Sequence, residues 1–296
     1  MSGPRATRAT RAELYGTLDR FLEALRARDP ARASWAPGVR ITENNVELEA
    51  GDGMWGTITA LGDYDLRFAD VAAGQVGFFG SLIETRDESP FTLRLAVEAG
   101  RITAVESLVV RAVDSGLKFP DAAFERKPVL EESLERGERA ARERMIALAD
   151  GYFDTLQLND GALHTRIHPH CERVENGVRT THNPALTLTR VAALGCEEQL
   201  RLGYYRYDDR LRARRYELLD EERGLVLAAA FIDHCGRLGK YRLTDGSELD
   251  SPVRRPHSFY VLELFKIKAD AIEQIEANFI TVPYHMPSPW QEPPRA

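Results

Sequence analysis

The sequence predicts an α+β protein built from two tandem copies of one domain. Two observations carry this prediction. Segments recur in the same order in both halves of the 296-residue chain, and each half begins with helical periodicity and continues with alternating strands. Helices followed by a meander of strands are typical of the α+β class. We therefore expect N-terminal helices packed on one face of an antiparallel sheet in each copy.

The duplication is visible in four pairs of segments that follow one another in order. The pairs, with their offsets, are 18–25 and 149–156 (131), 40–46 and 172–178 (132), 70–74 and 220–224 (150), and 101–106 and 271–276 (170). The offset grows by 18 residues before the third pair and by 20 before the fourth. We therefore expect two insertions in the second copy, near residues 183–210 and 234–257.

Each copy begins with an amphipathic helix. Leu14, Leu18, Phe21 and Leu25 recur at helical spacing, and the counterpart in the second copy covers residues 143–158. Further helical sequence is clearest at 184–195. Alternating segments between turn residues predict the strands. They cover 64–69, 76–84, 91–98 and 102–111 in the first copy, and 211–218, 225–234, 259–268 and 272–282 in the second. The repeated Glu-Asn segment lies on an earlier strand.

The domain boundaries follow from the repeat and from a segment that contains Pro120 and Pro128 and then a charged run. We expect a first domain at residues 1–115, after a short disordered N-terminal tail, a linker at 116–137, and a second domain at 138–296.

Composition excludes several classes of protein. Hydrophobic residues make up 43% and charged residues 29% of the chain, which is ordinary for a globular protein. The net charge is −7 and there is no Lys/Arg-rich block, which argues against nucleic acid as a partner. The longest apolar run, 225–232, is far shorter than the roughly 18 residues of a membrane span. Three widely spaced cysteines favour a cytoplasmic location.

Residues that carry chemistry are unevenly distributed between the copies. All 7 histidines and all 3 cysteines lie beyond residue 160. The first copy shares the repeated Glu-Asn strand but contains no histidine. We therefore expect any active site in the second copy.

Four segments carry a resemblance to a known superfamily: 43–56, 220–226, 231–234 and 283–290. With the order of elements, they resemble the SnoaL-like, or nuclear transport factor 2-like (ketosteroid isomerase-like), superfamily in tandem over nearly the whole chain. The resemblance implies cone-shaped domains in which a curved sheet encloses a mostly apolar pocket, with no cofactor. It also implies pairing through sheet faces, either in a homo-oligomer or within the tandem. Superfamily members include isomerases, dehydratases, hydrolases, cyclases and non-catalytic proteins, so the fold alone does not decide activity.

The first strand is where the superfamily's isomerases carry an Asp as general base. Aligning that position gives Glu175 or Asn176 in the second copy and Glu43 or Asn44 in the first, depending on one gap. A Glu on an apolar strand face would have a raised pKa and could act as a base near neutral pH. An Asn could only orient the substrate or donate to an oxyanion. The structural alternative is that Glu175 forms an ion pair with Arg173.

A second repeated carboxylate, Glu106 in the first copy and Glu276 in the second, lies on the last strand. It alternates with largely apolar neighbours, which predicts a buried polar group that needs a partner. A pocket acid is one interpretation, and a structural hydrogen bond or domain-interface pair is the other.

Three histidines lie close together at 164, 168 and 170, which on spacing alone would suit a metal. Pro169 interrupts the segment, and the resemblance implies a metal-free site, so we expect no metal. We expect instead that His168 or His170 lies at the mouth of the pocket as an acid/base residue near Glu175.

Further residues are expected to line the pocket or contact substrate, either through the resemblance or through their position. They are Tyr152, Arg173, Asn176, Arg215, His234 and His257 in the second copy, and Glu43, Asn44 and Trp55 in the first.

Together these features predict a cofactor-independent lyase or isomerase. It would act by proton transfer on a hydrophobic, aromatic or polycyclic small molecule in the second domain, with Glu175, His168, His170 and Glu276 as the catalytic candidates. Two alternatives stay open: a non-catalytic binding protein for an apolar ligand, and an oligomerisation or scaffold module.

Overall fold

The computed structural model describes residues 9–113, 124–187 and 189–291. They form two compact units. Unit 1 contains the described residues up to Val109 together with 124–126, and unit 2 contains the remaining described residues. Residues 1–8, in the predicted tail, lie outside the described residues, as do residues 114–123, which contain the end of the predicted first domain and the start of the predicted linker.

Unit 1 opens with a helix and continues with strands. Its elements are α1 (Arg11–Arg26), β1 (Trp35–Glu43), β2 (Val46–Glu47), α2 (Met54–Thr57), β3 (Ile58–Asp70), β4 (Gln75–Glu84), β5 (Asp87–Glu98) and β6 (Arg101–Val109). Unit 2 repeats this order with additions. Its elements are α3 (Pro128–Glu131), α4 (Arg142–Leu158), β7 (Ile167–Glu175), β8 (Val178–Arg179), α5 (Cys196–Arg201), β9 (Arg210–Asp220), β10 (Leu225–His234), β11 (Lys240–Arg242), β12 (Glu248–Asp250), β13 (His257–Lys268) and β14 (Ala271–Val282).

The two main sheets have the same topology. Their strand orders are β2-β1-β6-β5-β4-β3 in unit 1 and β8-β7-β14-β13-β10-β9 in unit 2. The prediction of an α+β fold with two similar domains is therefore confirmed. Each sheet is mixed, however, because β1 pairs with β6, and β7 with β14, in parallel. The expectation of a purely antiparallel sheet was wrong, since the first strand pairs with the last one instead of extending the meander.

Helix α1 shows why the first segment of each copy is helical. Thr10 caps its start: the Thr10 hydroxyl accepts from the Glu13 amide at 3.2 Å, and the Glu13 carboxylate accepts from the Thr10 amide at 2.7 Å. Its apolar stripe is buried, and Leu18 and Phe21 belong to the same hydrophobic core as Leu93 of β5.

The helix expected at 184–195 is absent from residues 184–187 and 189–195, which form turns. Helix α5 begins only at Cys196, where the Gly195 amide donates to the Glu198 carboxylate at 2.7 Å. Pro184 and the threonines of this segment favour turns over helix, which explains the difference.

Part of the predicted linker belongs to unit 2. Residues 127–137 pack there because Leu130 and Leu134 are buried and the Leu134 amide donates to the Glu222 carbonyl at 2.8 Å. Within the described residues, no helix combines the length and apolar character that crossing a membrane requires.

Candidate functional site

Unit 2 contains a cavity of about 290 Å³ between α4, the loop at 204–208 and the sheet. This volume lies near the lower end of the range for small-molecule pockets. Its walls are mostly apolar, and they include Leu156, Ile232, Phe259, Val261, Ala277 and Phe279. Two clusters of polar groups line it: one surrounds Arg173, and the other contains His234 and Asp208.

Strand register brings two carboxyl groups of the first cluster into one row of the sheet. Glu175 of β7 is paired with Ala277 of β14, and Ala277 is paired with Glu263 of β13. Directly paired residues place their side chains on the same face, so both glutamates face the cavity. Arg173, two residues before Glu175 on β7, shares that face.

Arg173 is the hub of this cluster and is only 2% exposed. Its Nη2 donates to the Gln199 Oε1 at 2.5 Å and to the Tyr205 hydroxyl, and its Nη1 donates to the Tyr152 hydroxyl at 3.4 Å. Its Nε lies 3.4 Å from the Glu175 Oε2. Burial lowers the pKa of Arg173, but Glu175 and the tyrosines raise it further, so the guanidinium stays charged.

Glu263 is the second ionisable group of the row and is 4% exposed. Burial, with a further contribution from the Glu175 charge, raises its pKa to about 8 in spite of the nearby Arg173 and a hydrogen bond with Tyr152. The carboxyl is therefore mostly protonated at neutral pH and can donate a proton. Burial likewise raises the pKa of Tyr152, so its hydroxyl keeps its proton.

The first copy places apolar residues where unit 2 carries this polar cluster. The offsets of 131, 132 and 170 make Phe21 the equivalent of Tyr152, Ile41 of Arg173, and Leu93 of Glu263. The pairings agree, because Leu93 is paired with Ser107 as Glu263 is with Ala277. Phe21, Ile41 and Leu93 all belong to the hydrophobic core of unit 1. At these three positions the same fold holds hydrocarbon in unit 1 and polar or ionisable groups in unit 2, while the fourth position keeps a carboxylate in both, Glu43 and Glu175.

Sequence reasoning missed Glu263. In the alternating segment 257–268, one Glu between leucines resembles a solvent-facing residue. The internal repeat could have found it, because the repeat aligns Glu263 with the apolar Leu93 of the first copy. A Glu at a position where the other copy has a core Leu indicates a buried carboxyl that packing does not require.

The second cluster contains His234 and Asp208, both buried. The His234 Nε2 lies 3.0 Å from the Asp208 Oδ1. Burial raises the pKa of Asp208, and the hydrogen bond with His234 partly offsets the rise. The His234 ring stacks on His257 at 4.5 Å between centroids and meets Phe259 edge-on at 4.7 Å.

Four of the predicted second-copy residues line the cavity, and six do not. Tyr152, Arg173, Glu175 and His234 are lining residues. His257 is not a lining residue but packs behind two of them, His234 and Phe259. His168 is half-buried and His170 is exposed; both lie on β7 before its buried part and away from the cavity lining, contrary to our expectation.

Asn176 and its counterpart Asn44 have a structural role. The Asn176 side chain donates to the Phe279 carbonyl at 3.1 Å and accepts from the Phe279 amide at 2.8 Å. Asn44 makes the same two bonds with Val109, at 3.1 and 2.9 Å. Both residues have positive φ, 49° and 52°. The expected oxyanion role of Asn176 is wrong, because its amide is already bonded to the neighbouring strand.

The carboxylate Glu276 lies on the other face of β14 from the cavity, beside Lys127 Nζ at 3.3 Å. An irregularity in the pairing between Ile272 and Gln274 shifts the alternation. Ile272, Ile275 and Ala277 therefore join the core, and Glu276 does not share their face. The expectation of a pocket acid at Glu276 was wrong.

The remaining candidates also serve as packing or hydrogen-bonding groups. Glu43 is buried and its Oε2 accepts from the Met54 amide at 2.7 Å. Trp55 is part of the unit 1 core. Arg215 is not a lining residue, and its guanidinium lies 5.6 Å from the centre of the Trp290 ring. In the part of the chain that the structure describes, no group of three or more His, Cys, Asp or Glu side chains could hold a metal ion.

Comparison with known proteins gives one family match and several distant structural similarities. A family model described as a domain of unknown function, DUF8021, matches residues 138–279. No curated protein matches the chain. The match to DUF8021 covers the part of unit 2 that runs from α4 to the cavity residue Phe279.

Three solved structures are similar to a part of the chain. A designed protein with a curved β-sheet is 16% identical, with a TM-score of 0.29, and the match covers 34% of this chain and 88% of that one. A protein from Sphaerobacter thermophilus is 12% identical, with a TM-score of 0.25, over 32% and 94%. AclR from Streptomyces galilaeus is 16% identical, with a TM-score of 0.24, over 41% and 94%.

Proposed function

We propose that unit 2 is a cofactor-independent lyase or isomerase that transfers protons on a hydrophobic, aromatic or polycyclic carbonyl compound. One observation carries the proposal: Tyr152, Arg173 and Glu263 replace three core hydrocarbons of unit 1 and converge on a cavity whose walls are otherwise mostly apolar. We also propose that each unit has the cone-shaped, SnoaL-like form, with the first helix packed inside a curved sheet. The order of elements and the shared core of α1 and β5 support it.

The energetics of burial favour function over stability as the reason for this cluster. Replacing buried ionic groups by hydrocarbons of similar size is often neutral or stabilising by about 1–4 kcal/mol. Unit 1 contains those hydrocarbons in the same fold. If the cluster had a purely structural role, unit 2 would carry a free-energy cost of burial that unit 1 avoids at these three positions.

The chemistry follows from the protonation states. The Glu175 carboxylate would remove a proton from the carbon next to a bound carbonyl, and the neutral Glu263 would donate its proton to the carbonyl oxygen. An enol forms, and the C–H and Glu263 O–H bonds are replaced by a Glu175 O–H and an enol O–H bond. Arg173 and Tyr152 would stabilise the negative charge that develops on oxygen. Return of a proton at another atom gives isomerisation, and loss of a neighbouring leaving group gives a lyase.

The test is deuterium exchange into aryl ketones, which reports enol formation without knowledge of the natural substrate. The full chain is incubated in D₂O with 6-acetyl-2-naphthol, 2-acetylnaphthalene or 2-tetralone, and label next to the carbonyl is measured by NMR. We expect exchange well above the buffer rate, and a loss of about 100-fold in Glu263→Gln, within the usual range for a general acid.

The control variant is His170→Gln, which changes an exposed histidine of β7 outside the cavity and should exchange like the wild type. Exchange in the wild type should also fall as pH rises through about 8, because Glu263 then loses its proton. Ketones that bind without exchanging would refute the enzyme and favour the alternative, a non-catalytic binding protein.

A further inference from the structure

The His234–Asp208 pair is not used by the proton transfer proposed above. His234 lines the cavity, but it lies at a different level of the sheet from Glu263. His234 is paired with His257, which is six residues before Glu263 on β13. Six residues of extended strand rise roughly 20 Å, so the two polar ends of the cavity lie at different levels of the sheet.

The His234 ring has one nitrogen bonded and one without a partner. Nε2 bonds to Asp208, whereas Nδ1 has no hydrogen-bond partner among the described residues, although it is buried. Asp208 holds the tautomer in which Nε2 carries the proton, since a carboxylate oxygen is an acceptor. Nδ1 is then a lone-pair acceptor. A buried polar atom without a partner costs about 1–3 kcal/mol, so it calls for an explanation.

Aromatic rings connect the two polar ends. His234 lies against Phe259, and Phe259 lies against Phe279 at 4.8 Å between ring centroids. Phe279 is two residues from Ala277, which belongs to the row of Glu175 and Glu263. A ligand that fills the cavity therefore meets a proton donor at one end, aromatic walls in the middle, and a proton acceptor at the other.

We propose that the substrate is an aromatic ketone with a hydroxyl group at the end opposite its carbonyl, and that His234 Nδ1 accepts a hydrogen bond from that hydroxyl. This inference rests on the proposed function for the carbonyl end. It adds a recognition site, His234 with Asp208 as its positioning residue, that fixes which molecules fit. Asp208 acts through His234, because its carboxylate fixes the acceptor nitrogen.

The test compares two probes that differ only in the hydroxyl, 6-acetyl-2-naphthol and 2-acetylnaphthalene. Their affinities for the full chain are measured by isothermal titration calorimetry. We expect the naphthol to bind about tenfold more tightly, the size of one hydrogen bond made in a dry site. In His234→Phe the preference should disappear, so that the two probes bind with equal affinity.

A second variant keeps the test independent of packing changes at position 234. Asp208→Asn retains the shape of the pair but no longer fixes the tautomer, so the ratio of the two affinities should fall toward one. His170→Gln should keep the wild-type preference. Equal affinities in the wild type, absence of binding by both probes, or a preference that survives in His234→Phe would each overturn the proposal.

The failure of this inference differs from failure of the proposed function. A tenfold preference without deuterium exchange would retain the hydroxyl site and reject the enzyme. Exchange in both probes with equal affinities would retain the enzyme and reject the hydroxyl site.

Discussion

Replacing Glu263 by Leu, the residue of the equivalent position in unit 1, should make unit 2 more stable at alkaline pH. Glu263 has a folded-state pKa of about 8, against 4.5 for an unperturbed Glu. Between these values the folded state holds more protons than the unfolded state. The stability that Glu263 provides is therefore complete below pH 4.5 and is lost as pH rises through 8.

The magnitude follows from the shift. Each pH unit in this window changes the contribution of Glu263 to the free energy of unfolding by up to about 1.4 kcal/mol, so that contribution should fall by about 3 kcal/mol between pH 4.5 and 7. Glu263→Leu and the isosteric Glu263→Gln carry no titrating group at this position. The difference in stability between wild type and either variant should therefore shift in favour of the variant as pH rises.

The assay is urea unfolding followed by tryptophan fluorescence. The chain has 3 tryptophans, of which Trp35 and Trp55 lie in unit 1 and Trp290 in unit 2. In a background with Trp35→Phe and Trp55→Phe, the signal reports unit 2 alone. A difference between wild type and Glu263→Leu that stays constant from pH 5 to 8 would refute the assignment of a buried, protonated carboxyl.

Three further perturbations test the hydrogen bonds and buried charges of unit 2. Asn176→Ala should lower the free energy of unfolding by about 1–3 kcal/mol, because two hydrogen bonds to Phe279 are lost. The folded variant should still bind the probes. An unchanged midpoint in urea unfolding would contradict the structural role of Asn176. Arg173→Met should lower the free energy of unfolding by about 1–3 kcal/mol in the same assay, since the Gln199 and Tyr205 oxygens lose a charged hydrogen-bond donor. An unchanged free energy of unfolding would contradict these hydrogen bonds. Burial lowers the pKa of Lys266 to about 8, so between pH 8 and 10.5 the unfolded state binds a proton that the folded state has lost. The free energy of unfolding of the wild type should therefore rise relative to that of Lys266→Met over this range, and a constant difference would contradict the lowered pKa.

Helices and strands were predictable because buried apolar residues recur in the sequence with the period of each element. The predicted second-copy strand 225–234 coincides with β10, and 259–268 lies within β13. Helix α4 starts one residue before its predicted start. Strand pairing was less predictable, since alternation fixes which face is buried but not that β7 lies beside β14.

The site was predictable only in part. Tyr152, Arg173 and Glu175 could be found because they lie on the first helix and first strand, whose position the repeat defines. Glu276 was misplaced because an irregular pairing shifts the alternation, which residue types do not reveal. Asn176 was misassigned because a repeated polar residue suggests chemistry, whereas both copies use it to bind the backbone of the last strand.

The loop residue Asp208 could not be found from the sequence. It lies in the first of the two insertions of the second copy, near residues 183–210, so no equivalent position in unit 1 could be compared. Its contact with His234 joins residues 26 positions apart through the tertiary fold.

The central claim is that Tyr152, Arg173 and Glu263 turn a hydrocarbon core into an acid/base site. The most direct measurement converts unit 2 to the composition of unit 1, with Tyr152→Phe, Arg173→Ile and Glu263→Leu together, and records both urea unfolding and deuterium exchange into 6-acetyl-2-naphthol. We expect a folded variant, stable at pH 8, whose exchange falls to the buffer rate. Exchange that survives in the folded triple variant would contradict it.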